Sequence, residues 1–360
     1  MTHRQRVEAA LRHREPDRTP YFEYVLLPPV AEQLLGRRYV DYAGDREGWR
    51  RLAAETGWEK AVRQYAVDRA DMAALLDHDM LYVCPNPVPD GATRPGPSAA
   101  ECPEDDPVSR LERRNERVAA SLGRRSDDRF LVYAYLREEL RRRELDLPVL
   151  APAYYHGVWT DVDLMQTMVL EPEVAHRHFA LATQRALADV EAYVSLGLDQ
   201  VGVGGDFAGT RLLISPDAYR RFIVPEVRTV VRRIHQAGLW AVNASDGNLW
   251  PVLDDFLLGC EVDGYLETDM RAGMDLARLK AARGDRVTLY GNMDCGNVLS
   301  FSAPEEVARL TAECLKAGQG NGGHIFCASN AITDSIPLDN YLAMVNAYRK
   351  TFGLPDLARL

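Results

Sequence analysis

The sequence predicts an α/β fold, a (β/α)₈ TIM barrel with an N-terminal helical extension, and three observations carry that prediction. Eight short apolar or β-branched runs alternate with segments of helical period, the order a parallel sheet produces. The intervening segments carry helix start and stop residues. Most of the runs end on a polar or acidic residue, as barrel strands do at the mouth where their loops build a site. An open doubly wound sheet has one cue, "GVGGD" at 202–206; it lacks the G-x-G-x-x-G spacing, and no helix opens directly after it.

The elements follow in order. Thr2 to His13 reads as a helix with a capping box of Thr2 and Gln5, its apolar face built from Val7, Ala10 and Leu11. "EPDRTP" breaks it, and "YFEYVLL" (21–27) is the first strand candidate. "DMLYVCP" (79–85) follows the helical "RADMAALLDH" and leads into a Pro/Gly/acid stretch at 86–107, read as an active-site loop or a surface excursion. Two helical segments come next, their arginines interleaved with glutamates in the manner of a solvated face. The remaining strand candidates are 147–156, 198–206, 239–246, 262–268, 286–292 and 322–330. Among the helices between them, one opens at Ser215 and Pro216 and closes at Gly238. Another carries a Ser302/Glu305 capping box and stops at Gly318. The whole of 1–360 is read as one barrel domain.

Composition excludes several function classes. A chain of 360 residues with a formal charge of -10 has no basic field for nucleic acid or anionic membrane. The N-terminal stretch lacks a long apolar run, so the expectation is a cytoplasmic protein without a signal segment. Six cysteines without C-x-x-C pairing read as reduced thiols.

The strand ends supply the chemistry. Tyr24 follows the first candidate, Tyr155 and His156 the third, Asp206 the fourth, and Asp246 the fifth. Glu267 follows the sixth, Asn292 and Asp294 the seventh, and Asn330 the eighth; Asp79 stands near the start of the second. "NASDGN" (243–248) is the densest of these, an apolar run that stops at a carboxylate, a glycine and the amides Asn243 and Asn248. A lone aspartate at a strand end is commonly an N-cap or a loop anchor. Several carboxylates around one mouth are different, because each raises the pKa of the others and the group needs a cation, donors or a shared proton.

"RVEAALRHREPDRTP", "GGDFAGTRLLISPDAYRRFIVPEV", "SDGNLWPVLDD", "VDGYLE", "RVTLYGNMD" and "GGHIFCASNAITDSIPLDN" resemble, in order and nearly end to end, the uroporphyrinogen decarboxylase family, a (β/α)₈ barrel superfamily that includes corrinoid-linked zinc methyltransferases. The resemblance implies an arginine-rich segment after the first strand; here "YFEYVLLPP" has no arginine. It matches the family's second-strand aspartate to Asp79 and its fifth-strand Asp-Gly to Asp246 and Gly247, with Asp206 in place of a serine and Asn330 in place of a histidine. The zinc ligands of the methyltransferase branch fall on Ala244, Asp246 and Asn330, which is no soft ligand set.

The expected activity is therefore an acid/base lyase of decarboxylase type acting on a small organic substrate other than uroporphyrinogen. Asp79, Asp206 and Asp246 are the catalytic candidates. Tyr24, Tyr155, His156, Asn243, Asn248 and Asn330 are the substrate-binding ones. No cofactor is required in this reading, although Asp206, Asp246 and Glu267 would suit a hard divalent metal. The alternatives are a corrinoid-dependent methyltransferase with a nonstandard metal site, partnered by a corrinoid protein, and a noncatalytic ligand-binding barrel. A homodimer is expected from the resemblance.

Overall fold

The computed structural model describes residues 1–89, 106–124 and 126–357. Most of the stretch at 86–107 lies outside these residues. Seven parallel strands run in sequential order: β1 (Leu81–Tyr82), β2 (Val149–Pro152), β3 (Gln200–Gly204), β4 (Trp240–Ala244), β5 (Gly264–Leu266), β6 (Thr288–Tyr290) and β7 (His324–Ile325). The first strand candidate forms no strand of its own. It bridges the two edges instead. Tyr21 pairs in parallel with Phe326, Phe326 N donates to Pro20 O (2.7 Å), and Asp79 N donates to Tyr21 O (2.7 Å). With this segment as an eighth stave, the sheet has the curled form of a TIM-barrel-like α/β fold.

Side chains of a strand alternate between faces, and this decides what fills the barrel. Phe22, Met80, Leu150, Val242, Leu266, Tyr290, Ile325 and Cys327 pack together in the interior. Tyr290 Oη donates to Oε1 of the buried Gln200 on β3 (2.5 Å), so both polar groups are paired. Val7, Ala10 and Leu11 of the N-terminal helix His3–Leu11 join the same cluster and plug the end where the strands begin. Ala10 O accepts from Gly323 N (2.9 Å) and Thr288 Oγ1 (3.2 Å), which ties that helix beneath β6 and β7. Its capping box is present as predicted, with Thr2 and Gln5 exchanging bonds.

The opposite strand face packs on the helices. On β4, Ala241 and Asn243 turn outward while Val242 turns in. The helix predicted from Ser215 does begin there, Ser215 Oγ accepting from Ala218 N (3.1 Å); a π turn at Tyr219–Ile223 precedes the long helix Val224–Gln236. The Ser302/Glu305 capping box does not form. The helix is Pro304–Gly318 with Ala303 at its N-cap and no side-chain capping bond, so proline at the first position sets that start. After β4, residues 250–259 form one unbroken helical run of mixed hydrogen-bond pattern, a 3₁₀ turn (Trp250–Val252) leading through Leu253 and Asp254 into a π turn (Asp255–Gly259).

Candidate active site

Two glycines deliver the first carboxylate. Gly204 ends β3 at φ +122° and Gly205 follows at φ +120°. A Cβ on Gly204 would lie 2.3 Å from Asn243 Oδ1 and 2.5 Å from Ala244 O, so a side chain there would collide with β4. The chain bends over the end of β4, Gly205 N bonds Ala244 O (2.9 Å), and Asp206 arrives above it. Asp246 N then donates to Asp206 Oδ1 (2.8 Å), locking the two strand ends together. From β5 comes Glu267, whose backbone holds the left-handed φ of +69°. Such a conformation costs a non-glycine residue on the order of 1–2 kcal/mol, and it aims this carboxylate at the other two.

The result is a tight acidic trio. Asp206, Asp246 and Glu267 each offer an oxygen within 4.8 Å of the others, and all three are half-buried. Asn330, from beyond β7, donates Nδ2 to Asp246 Oδ2 (2.7 Å); its own Oδ1 accepts from Ala331 N (2.7 Å), which fixes the amide with its donor toward Asp246. Burial, then the charge of Asp206 and of Asp269, pushes the Asp246 carboxyl up to about 7, against the opposing bond from Asn330. Glu267 is held well above the usual carboxylate range by burial and by both aspartates, with the Tyr24 hydroxyl working the other way. Asp206 is raised by burial and partly restored by the Asp246 amide. At neutral pH such a cluster holds protons.

Of the residues expected at the mouth, Asp206, Asp246, Glu267, Asn330, Tyr24 and Tyr155 are brought together. Tyr24 packs against Tyr82 with the rings tilted at 60° (centroids 4.4 Å apart) beside Glu267, and burial raises its hydroxyl well above the usual range. Tyr155 is 57% exposed, packs over Gly205, and feels the charge of Asp206 and Glu267.

Four expectations are corrected. Asp79 precedes β1, at the end of the barrel opposite the mouth, and is fully buried. Its carboxylate accepts from His3 Nδ1 (2.9 Å), Arg6 Nη1 (3.1 Å), Arg18 Nη2 (3.2 Å) and Tyr21 N (3.0 Å), so it fastens the N-terminal helix and cannot reach a substrate at the mouth. Asn243 faces outward, donating Nδ2 to Phe256 O (3.1 Å), because it alternates with Val242. Asn248 closes a turn, its Oδ1 accepting from Trp250 N (3.2 Å). His156 is buried with Nδ1 accepting from Val158 N (3.3 Å); burial pushes its imidazole down to about 4, so it is a neutral part of the loop scaffold. Asn292 and Asp294 likewise bond backbone, Asn292 Nδ2 donating to Met274 O (3.1 Å) across to the preceding loop and Asp294 Oδ1 closing a turn by accepting from Asn297 N (3.0 Å).

Two residues near the trio escaped the sequence reading. Asp269 caps the 3₁₀ turn after β5 through Arg271 N (2.9 Å) and Ala272 N (3.1 Å) while its charge bears on Asp246. Cys295 lies beyond β6 with Sγ 3.5 Å from Ser329 Oγ; burial raises its thiol, and Asp246 adds to the rise. Both stand within five residues of a strand's end, a position that signalled the other candidates.

Metal chemistry is limited by the donors. Among the described residues the one group of three or more metal-capable side chains is the acidic trio, all oxygen and suited to a hard cation. A zinc site of thiolate and imidazole does not fit. His324 turns outward, its Nε2 bonded to Gly291 O (2.6 Å), while Cys327 packs inside the barrel.

A model of the uroporphyrinogen decarboxylase family matches residues 158–351, more than half of the chain. Uroporphyrinogen decarboxylase of Methylibium petroleiphilum is 30% identical over 198 residues, covering 52% of this chain and 50% of that protein. The Coxiella burnetii enzyme is 28% identical over 187 residues, covering 49% and 47%. The chain thus spans about half the length of the curated relatives it matches. A methyltransferase from Methanosarcina mazei shares the fold across 98% of this chain and 99% of its own, with a TM-score of 0.70 at 17% identity. Among the described residues no helix is long and apolar enough to cross a membrane.

Proposed function

Because the chain belongs to the uroporphyrinogen decarboxylase family, we propose that it is an acid/base lyase of decarboxylase type, acting on a small organic acid other than uroporphyrinogen. The observation that carries this reading is the mutual approach of Asp206, Asp246 and Glu267 within 4.8 Å at the mouth. A proton held by such a trio near neutral pH is what protonation of a developing carbanion requires. In the step proposed, the bond between the substrate carbon and its carboxylate breaks and carbon dioxide leaves. The electron pair stays on carbon, and the Asp246 carboxyl, raised to about 7, gives its proton to that carbon. Glu267 shares its proton with Asp246, and solvent restores it. Asn330 orients the donor, and Asp206 holds the loop that carries it.

Porphyrinogen is disfavoured because the segment at 21–29 supplies no arginine for its carboxylates. The test is carbon dioxide release from a panel of small carboxylic acids, compared between the wild type and Asp246→Asn. Release that survives the substitution unchanged would reject the proton-donor role.

A second reading is methyl transfer with a corrinoid protein at a nonstandard metal site. It draws on the same spacing, because three carboxylate oxygens that close can hold a hard divalent cation. Titration with Mn²⁺ at pH 8 separates the two. Stoichiometric binding lost in Asp206→Asn favours the metal site, and its absence favours the shared proton.

A further inference from the structure

The N-terminal end of the barrel holds a cavity that the mouth chemistry does not use. It measures about 300 Å³ and lies against the starts of β2 and β3. Its apolar floor is Leu140, Leu147 and Leu198, all buried. Its walls are charged: Arg4, Arg137 and Arg141 against Asp146 and Asp199.

The charges do not cancel. Arg4 bridges both acids, donating Nε to Asp146 Oδ1 (2.8 Å) and Nη1 to Asp199. Asp199 also accepts from Val149 N (2.9 Å). Arg137 and Arg141 then stand in the wall with no carboxylate partner among the described residues. Arg137 Nη2 donates to Gly197 O (2.8 Å) and Arg141 Nε to Arg137 O (3.3 Å). Their neighbours on the same helical segment behave differently. Arg142 is paired with Glu139 (2.7 Å), and Arg143 with Glu139 and Asp71. So the sequence "REELRRRE" is a solvated, charge-balanced face at two of its arginines and an unbalanced one at the two that meet the cavity.

In a chain of net charge -10, two adjacent guanidiniums without acidic partners over a leucine floor form a local anion trap with an apolar seat. We propose that this cavity is a binding site for a small organic oxyanion, a carboxylate or phosphate head on a short apolar body, held by Arg137 and Arg141 with the body on Leu140, Leu147 and Leu198. The volume suits a ligand of about ten heavy atoms, at the lower end of small-molecule sites. Since the cavity and the mouth lie at opposite ends of the strands, this ligand is distinct from the substrate of the reaction.

Benzoate and phenyl phosphate serve as probes, with benzamide as the neutral control and inorganic phosphate as the head alone. Binding is followed by calorimetry and by chemical-shift changes in labelled protein. The expected result is saturable binding of at least one aryl oxyanion, at least tenfold tighter than benzamide, weakening as salt is raised. The better of the two aryl anions identifies the head group. Shifts should centre on residues 137–147 and 197–199 and spare 206, 246 and 267. Arg141→Gln, whose side chain bonds only its own helix, should weaken binding fivefold or more with no change in unfolding midpoint. Arg137→Gln/Arg141→Gln should abolish it. No saturable binding of either aryl anion would overturn the proposal, as would binding that is equal for benzamide, unchanged in the double variant, or centred on the mouth.

Discussion

Asp246→Asn tests the site through stability, before any substrate is known. In the native protein the Asp246 carboxyl is raised to about 7 by burial and neighbouring acids; in the unfolded chain it returns to about 3.9. The native state therefore binds this proton more tightly. Its favourable contribution is complete below pH 4 and is lost as pH rises from about 4 to about 7. Three units correspond to a ceiling of about 4 kcal/mol at 1.36 kcal/mol per unit. Water reaches the half-buried trio, and the three acids redistribute their protons, so the realised penalty at pH 8 is on the order of 1–2 kcal/mol. Asparagine keeps the shape and can still accept the Asn330 Nδ2 bond, but it carries no charge. The variant is expected to match the wild type near pH 4 and to exceed it by about 1–2 kcal/mol at pH 8, measured by urea unfolding across that range. Activity should fall by about 10² or more where Asp246 is the proton donor. A stability difference that does not change between pH 5 and pH 8, or a variant less stable at pH 8, would refute the claim that crowding holds a proton at this position.

Further outcomes follow from the same geometry. Asn330→Ala removes the bond that opposes the rise, so the Asp246 carboxyl should titrate higher than in the wild type by ¹³C NMR. Asp79→Asn removes the buried carboxylate shared by Arg6 and Arg18, leaving them only Asp17 and Asp77, and should cost about 2 kcal/mol in urea unfolding while leaving the carboxyl titration of the mouth unmoved. Gly247→Ala places a Cβ 2.4 Å from Ala208 O at φ +93°, and a loss of about 2 kcal/mol or more is expected. His156 and His324 are both pushed down to about 4 by burial, so each stabilises the native state fully above pH 6.5 and progressively less as pH falls toward 4. His156→Gln should therefore flatten the acid limb of the stability profile.

How much was legible in the sequence depends on the period of each feature. Alternation of strands and helices is a long-range pattern, and it survived even where a strand shrank to the bridge at Tyr21, because the neighbours still needed a partner at that edge. Asp206, Asp246, Glu267 and Asn330 were legible because each immediately follows an apolar run, and in a parallel sheet those positions converge. Asn243 failed for a reason of one residue. It lies on the strand rather than beyond it, and its parity with Val242 sends it outward.

Asp79 failed for a deeper reason, which also bears on the acidic character of the mouth. Resemblance aligned it with a catalytic aspartate, but direction along the strand decides which end of the barrel a residue occupies, and Asp79 comes before β1. Its charge is balanced by Arg6 and Arg18 from the N-terminal segment, with His3 adding a hydrogen bond, a set of donors that the trio at the other end lacks. The buried Asp79 and the half-buried trio are thus treated oppositely by the fold. The lower one is paired with two guanidiniums and serves to fasten the plug, whereas the upper ones have only neutral donors, the Asn330 amide, the Asp246 backbone N–H and the Tyr24 hydroxyl, with no ion pair among the described residues, and so must take up protons or a cation. Charge balance, more than the identity of the acid, separates the structural aspartate from the chemical ones, and that balance is set by residues far away in sequence, Arg18 lying 61 positions from Asp79 and Asn330 84 positions from Asp246.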